Sequence, residues 1–192
     1  MGSHQRGLTL LELLVTISVA GVLIGFGVPS FINQYKNGQL TSAVNLLVTA
    51  MHISRSEASK RGTPVIMCTS NNAMNAGNES CTGGDWTDGW IVFADNDGDG
   101  TYGTGDQIVQ TQNSLKGGLT VIADDDVEEN ITYLPTGFAA LPVVGGDARF
   151  IVFCGADGDD RYSRVLSLSN NGRPRVLNRN DFGVAAPSCA TS

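Results

Sequence analysis

Two clusters of side chains have the types and spacing to hold ions. In Asp95-Asn96-Asp97-Gly98-Asp99-Gly100, carboxylates fall at alternate positions, a glycine stands sixth, and Asp106 follows at the twelfth. That spacing resembles the oxygen-ligand loop of helix–loop–helix calcium sites, where hard donors surround a hard cation. The twelfth residue is Asp instead of the longer, bidentate Glu, and the flanks have strand-like patterning. The loop therefore reads as a polar hairpin connection rich in turn formers, with calcium held by Asp95, Asp97, Asp99 and Asp106 as the alternative. Asp157, Asp159 and Asp160 form a second such turn.

The other cluster is basic. From Arg161 to Asn180 the chain carries Arg161, Arg164, Arg173, Arg175 and Arg179 and no acid. Asn171-Gly172 predicts a two-residue hairpin turn, because both residue types tolerate positive φ. The outgoing strand then holds Arg173 and Arg175 on one face, about 6.6 Å apart. Pro174 between them lacks a main-chain donor, which suits an edge strand. Guanidinium groups on an exposed edge match phosphate oxygens in charge and in donor geometry; the plainer alternative is a solvated hairpin end. Nothing suggests catalysis or a cofactor. His4 and His52 have no evident nucleophile or metal partner, the acids from Asp124 to Glu129 read as a solvated loop, and no phosphate-binding glycine loop or hydrolase motif occurs.

The elements that position these clusters follow from composition and periodicity. A chain of 192 residues with one long apolar segment leaves room for one globular domain. The net charge of -7 is uneven, with most acids between Asp85 and Glu129, where Lys116 is the one base. An acidic face and a separate basic patch follow. Cys68, Cys81, Cys154 and Cys189 lack zinc or redox spacing and read as two disulfides made in an oxidising compartment. Three pairings are open. Cys68 with Cys81 and Cys154 with Cys189 is preferred, since the first closes a short polar loop and the second ties down a Gly/Pro/Ala-containing tail.

From Leu8 to Ile32 the one ionisable side chain is Glu12, which predicts a membrane-spanning helix. Residues 33–62 should continue it, with Leu40, Val44, Leu47 and Met51 as one apolar stripe and Lys60, Arg61, Gly62 and Pro64 as a stop. The whole rod would be about 80 Å long, weakened near Gly25, Gly27 and Pro29. Residues 63–192 form the head, with strands expected near Val65–Thr69, Trp90–Ala94, Gln107–Thr111, Leu119–Ile122, Ile131–Leu134, Phe150–Cys154, Tyr162–Ser169 and Arg175–Leu177. One long helix followed by strands implies an α+β domain in which antiparallel sheets cover the helix stripe.

Gly7-Leu8-Thr9-Leu10-Leu11-Glu12 resembles the processing site of type IV prepilins and pseudopilins, with Leu8 where the family usually has Phe. The resemblance implies that residues 1–7 are a leader, that a prepilin peptidase cuts after Gly7 and methylates the amino group of Leu8, and that Glu12 neutralises a neighbouring subunit's amino terminus. Snorkelling of Glu12 to the headgroups is the alternative. Met1 to His4 also resembles an expression tag. Trp86, Gly89, Trp90, Val92, Phe93, Asp95, Gly137 and Gly172-Arg173 resemble the GspH/FimT group of minor pilins and pseudopilins. Gly172-Arg173-Pro174-Arg175 matches the GRxR motif of FimT-like pilins, which implies double-stranded DNA binding in natural transformation through Arg173 and Arg175, with Arg161, Arg164 and Arg179 beside them. The implied fold is the type IV pilin-like fold, and the implied partners are other pilins. The implied location is the bacterial inner membrane before assembly and an extracellular pilus or periplasmic pseudopilus afterwards. A structural subunit of a pilus or type II secretion pseudopilus without DNA binding is the second reading, and a calcium-regulated adhesive subunit the third.

Overall fold

A computed structural model describes residues 9–141, 149–178 and 187–189, without the side chains of residues 26–31, 33 and 161. Gly7, Leu8 and Arg179 therefore lie outside the described residues, as does the side chain of Arg161. The chain divides into two compact units, residues 1–37 and 38–192.

Helix α1 is assigned unbroken over Leu10–Arg61. Its start is capped by sequence: the Thr9 hydroxyl accepts the Glu12 amide at 3.3 Å, which satisfies one of the orphan donors of the first turn. Glu12 thus sits where the helix dipole favours a negative charge. In the first unit the apolar residues Leu10, Leu11, Leu13, Leu14, Val15 and Ile17 are all exposed. Among the described residues no helix is long and apolar enough to cross a membrane.

In the second unit Leu40, Val44, Leu47 and Met51 are fully or almost fully buried, so the stripe read from spacing is a core face. Burying each such side chain contributes about 1.5–3 kcal/mol, well above differences in helix propensity, so packing fixes this half of the helix. Gly62 ends it at φ +72°, its amide returning to the Ala58 carbonyl at 3.0 Å.

Eight strands follow: β1 Val65–Thr69, β2 Trp90–Ala94, β3 Gln107–Gln112, β4 Thr120–Ala123, β5 Asn130–Tyr133, β6 Arg149–Cys154, β7 Arg164–Leu168 and β8 Pro174–Asn178. They pair antiparallel in two sheets, ordered β3-β2-β1-β5 and β4-β6-β7-β8. In the first, Val65, Met67, Trp90, Val92, Ile131 and Tyr133 join the helix stripe; in the second, Ile151, Phe153, Leu166 and Leu168 do. One core thus lies between the helix and both sheets. Alternation along the strands leaves Ile66, Cys68, Ile91 and Phe93 on the far face of the first sheet and Val152, Cys154 and Val165 on that of the second. Both far faces are stapled by disulfides, Cys68–Cys81 and Cys154–Cys189.

One expected strand and one expected turn change. Residues 160–162 form a 3-10 turn, so the strand expected from Tyr162 begins at Arg164. Asn171-Gly172 is not a two-residue turn, because residues 169–173 separate the paired ends Leu168 and Pro174. The Gly172 amide donates to the Ser169 carbonyl at 2.9 Å, and only Gly172 takes positive φ, at +72°. Asn171 stays at negative φ and its side-chain oxygen accepts the Arg173 amide at 3.0 Å. The turn is therefore closed by an Asn side chain and a left-handed glycine.

Candidate nucleic-acid interface

Strand β8 is an edge of its sheet, and Pro174 opens it, where a missing donor is tolerated. Arg173 and Arg175 are both exposed. Among the described residues neither forms an ion pair. Arg175 pairs with Ser167, and Ser167 alternates with Val165 on the sheet's far face. Arg164 pairs with Asn178 and Phe153, and belongs to the opposite, core-side alternation with Leu166 and Leu168. The sheet therefore separates Arg164 from Arg175, which corrects the expectation that they share one patch. Arg164 also spends a guanidinium donor on the Ser163 carbonyl at 3.0 Å.

The turn carrying Arg173 is held from beneath. Gly172 is buried against the Gly137 carbonyl oxygen, the Tyr133 ring and the Ala139 nitrogen. The Ala139 amide donates to the Asn170 carbonyl at 3.1 Å, and Ala139 also bridges to Tyr133. Residues 134–139 thereby join the end of β5 in one sheet to the β7–β8 turn of the other. Burial pushes the Tyr133 hydroxyl pKa up, opposed by the positive charge of Arg55. The Arg55 side chain also lies against Gly137, as does that of Ser59. No local signal in the sequence connects it to residues 137 and 172.

The aspartate loop is brought together in part. Asp95, Asp97 and Asp99 each offer a carboxylate oxygen within 4.8 Å of the others. Asp95 is buried and spends its oxygens on the Gly98 amide at 2.8 Å and the Gly100 amide at 3.2 Å. Hydrogen bonds from the Thr101 amide and hydroxyl hold Asp99 below the usual carboxylate range. Asp106 does not join them; its oxygens accept the Asn96 and Gly103 amides at 2.9 Å each. The four-carboxylate calcium set is thus not assembled, and main-chain donors organise the loop. In the second acidic turn, Asp160 accepts the Ser188 hydroxyl at 2.9 Å and the Cys189 amide at 2.8 Å, fastening the segment that bears the disulfide.

Residues 43–172 match the family described as Type II transport protein GspH, and residues 2–28 match the prokaryotic N-terminal methylation motif. No curated protein sequence matches the chain. Among solved structures it is similar to the type IV minor pilin FimU of Pseudomonas aeruginosa strain PAO1 in two crystal forms. One gives a TM-score of 0.55 and 21% identity over 79% of this chain and 96% of that chain. The other gives 0.53 and 22% over 78% and 99%. The minor pseudopilin EpsH of the Vibrio cholerae type 2 secretion system is similar at a TM-score of 0.49 and 12% identity, over 73% of this chain and 97% of that chain. The FimU likeness identifies the helix-and-two-sheet architecture as the type IV pilin-like fold. With the larger part of its length matched and the methylation motif ahead of it, the chain belongs to the GspH family, as a structural subunit of the minor pilin or pseudopilin kind and not an enzyme.

Proposed function

We propose that this subunit stands at or near the tip of a type IV pilus and captures double-stranded DNA through Arg173 and Arg175 in natural transformation. Processing after Gly7 by a prepilin peptidase would leave Leu8 as the methylated first residue. The apolar segment from Leu8 to Ile32 would anchor the chain in the inner membrane and later pack among other pilins. The exposure of Leu10 to Ile24 supports this, since an apolar surface of that extent in water needs a cover. Glu12, in the first turn, would face a neighbouring amino terminus.

The observation that carries the DNA reading is the pair Arg173 and Arg175, exposed at an edge strand and without an ion pair among the described residues. A protein of net charge -7 repels DNA elsewhere, so binding is weak and salt-sensitive. The test is a gel shift of the full chain in detergent with a duplex at low salt. Arg173→Gln with Arg175→Gln abolishes the shift; an unaltered shift removes the site.

The second reading, a pseudopilin or minor pilin whose arginines contact a neighbouring subunit, is favoured by the match to the GspH family. It expects no shift in the parent protein and loss of filament incorporation in the double variant.

A further inference from the structure

We infer that the interface continues across the Gly137 turn to Arg55 and Phe138, and that its preferred ligand is DNA with an unpaired base, as in a single strand or a duplex overhang. This rests on the reading of Arg173 and Arg175 as phosphate contacts and specifies what lies beside them.

Gly137 is the shared point of contact. A Cβ at Gly137 would meet Arg55 Nε at 3.3 Å, while Gly172, which precedes Arg173, packs on the Gly137 carbonyl oxygen. Arg55 and the residue before Arg173 thus both contact one turn although they are far apart in sequence. Neither arginine has an ion pair among the described residues, whereas Glu57 is occupied by Lys60 and Arg61 at 3.3 and 2.6 Å. At 100° per residue, Glu57 points away from the face that bears Arg55 and Ser59.

Phe138 follows Gly137 in the chain and is 53% exposed. Its position is fixed on both sides: its carbonyl accepts the Leu134 amide at 2.9 Å, and the next amide, of Ala139, is bonded to Asn170. Ala139 is buried, so the neighbouring Phe138 ring is turned outward by alternation. An exposed aromatic ring on a held turn, with arginines on the segments packed against that turn, can stack a base while the guanidinium groups neutralise adjoining phosphates. Bases within a duplex have their faces covered, so the ring has a partner only where a base is unpaired.

Fluorescence anisotropy of the full chain in detergent would compare a blunt duplex, the same duplex with an overhang, and the single strand. The parent protein binds the overhang and single strand more tightly than the blunt duplex. Phe138→Ala weakens single-strand binding roughly 5- to 150-fold, the value of one stacked base, and leaves the blunt duplex within about twofold. Phe138→Trp retains single-strand binding, and Arg55→Gln weakens all three ligands. Equal single-strand binding by Phe138→Ala and the parent overturns the inference. If Arg173→Gln with Arg175→Gln then still loses the blunt duplex, the underlying DNA reading stands; if that variant also binds as the parent does, both fail.

Discussion

Gly172 packs against the main-chain oxygen of Gly137 so closely that a methyl group on residue 172 would overlap it. The same contact seats the turn that presents Arg173 and ties the edge of one sheet to the other. Gly172 also needs φ +72°, which side-chain-bearing residues adopt at a cost.

Gly172→Ala therefore carries two penalties, about 1–2 kcal/mol for the left-handed backbone and a further amount for displacing the Gly137 turn. A fall of several degrees in Tm is expected, at roughly 2–4 °C per kcal/mol for a chain of this size. Thermal unfolding followed by circular dichroism checks it. An unchanged Tm would mean that the turn is not seated as described.

The two tryptophans of the core should respond differently to the same substitution. Trp86 Nε1 donates to the buried Val127 carbonyl at 2.9 Å, while Trp90 Nε1 has no hydrogen-bond partner among the described residues. Both side chains are fully buried, with ring centroids 6.4 Å apart. Trp86→Phe removes volume and strands a carbonyl; Trp90→Phe removes volume and an unpaired donor. Trp86→Phe should cost more by about 1–3 kcal/mol. Urea midpoints of the two variants decide the matter, and equal midpoints would refute it.

Loop length separates the two disulfides. Cys154–Cys189 spans 35 residues of sequence and Cys68–Cys81 spans 13. Chain entropy assigns them about 4 and about 3 kcal/mol respectively. Replacing Cys154 and Cys189 with serine should lower the denaturation midpoint more than replacing Cys68 and Cys81. The reverse order would show that the cost lies in the Cys68 loop's packing.

Much of the head is legible because its strands are short apolar, β-branched and aromatic runs set off by turn residues. Val65–Thr69 and Trp90–Ala94 have the expected bounds, and Leu40, Val44, Leu47 and Met51 show their spacing as burial. Which strand joins which sheet was not legible, since every run has the same period and partners are set by long-range packing. The fate of Arg164 follows from that: its face depends on register with β8, which no local pattern reveals. The turn at Asn171-Gly172 departs from the two-residue expectation because Asn can satisfy a turn in two ways, by adopting positive φ or by accepting a main-chain hydrogen bond, and here it does the second. Arg55 was missed because the connection runs through space, from the helix to Gly137.

Asp124 gives a pH test. Burial raises its pKa above the ordinary carboxylate value, although its carboxylate accepts the Phe150 amide at 2.8 Å and Arg149 acts in the opposite direction. A folded carboxyl with a raised pKa binds its proton more tightly than the unfolded chain does. Its contribution is fully present below the unfolded pKa and is lost as pH rises through the folded pKa. Asp124→Asn keeps an acceptor for Phe150 and removes the charge. Its stability relative to the parent should therefore increase from pH 3 towards neutrality, by less than about 1 kcal/mol once solvent screening is counted. Chemical denaturation across that range checks the sign, and a relative stability that falls with pH would show that the attraction to Arg149 dominates.

Salt dependence distinguishes contact with phosphate from mere proximity to DNA. Each phosphate neutralised by a cationic side chain releases about 0.9 counterion, so the slope of log affinity against log salt counts contacts. Arg173 and Arg175 sit on an open edge with no competing carboxylate bound to them among the described residues. If both touch phosphates, Arg173→Gln with Arg175→Gln should flatten the duplex-binding slope by about 2, and each single change by about 1. Titrations at several salt concentrations measure this directly. A double variant with weaker binding but an unchanged slope would place the arginines in the architecture of the turn and leave the phosphates to other residues. Arg164→Gln is the internal control: on the opposite side of the sheet from Arg175, it should leave the slope as it is.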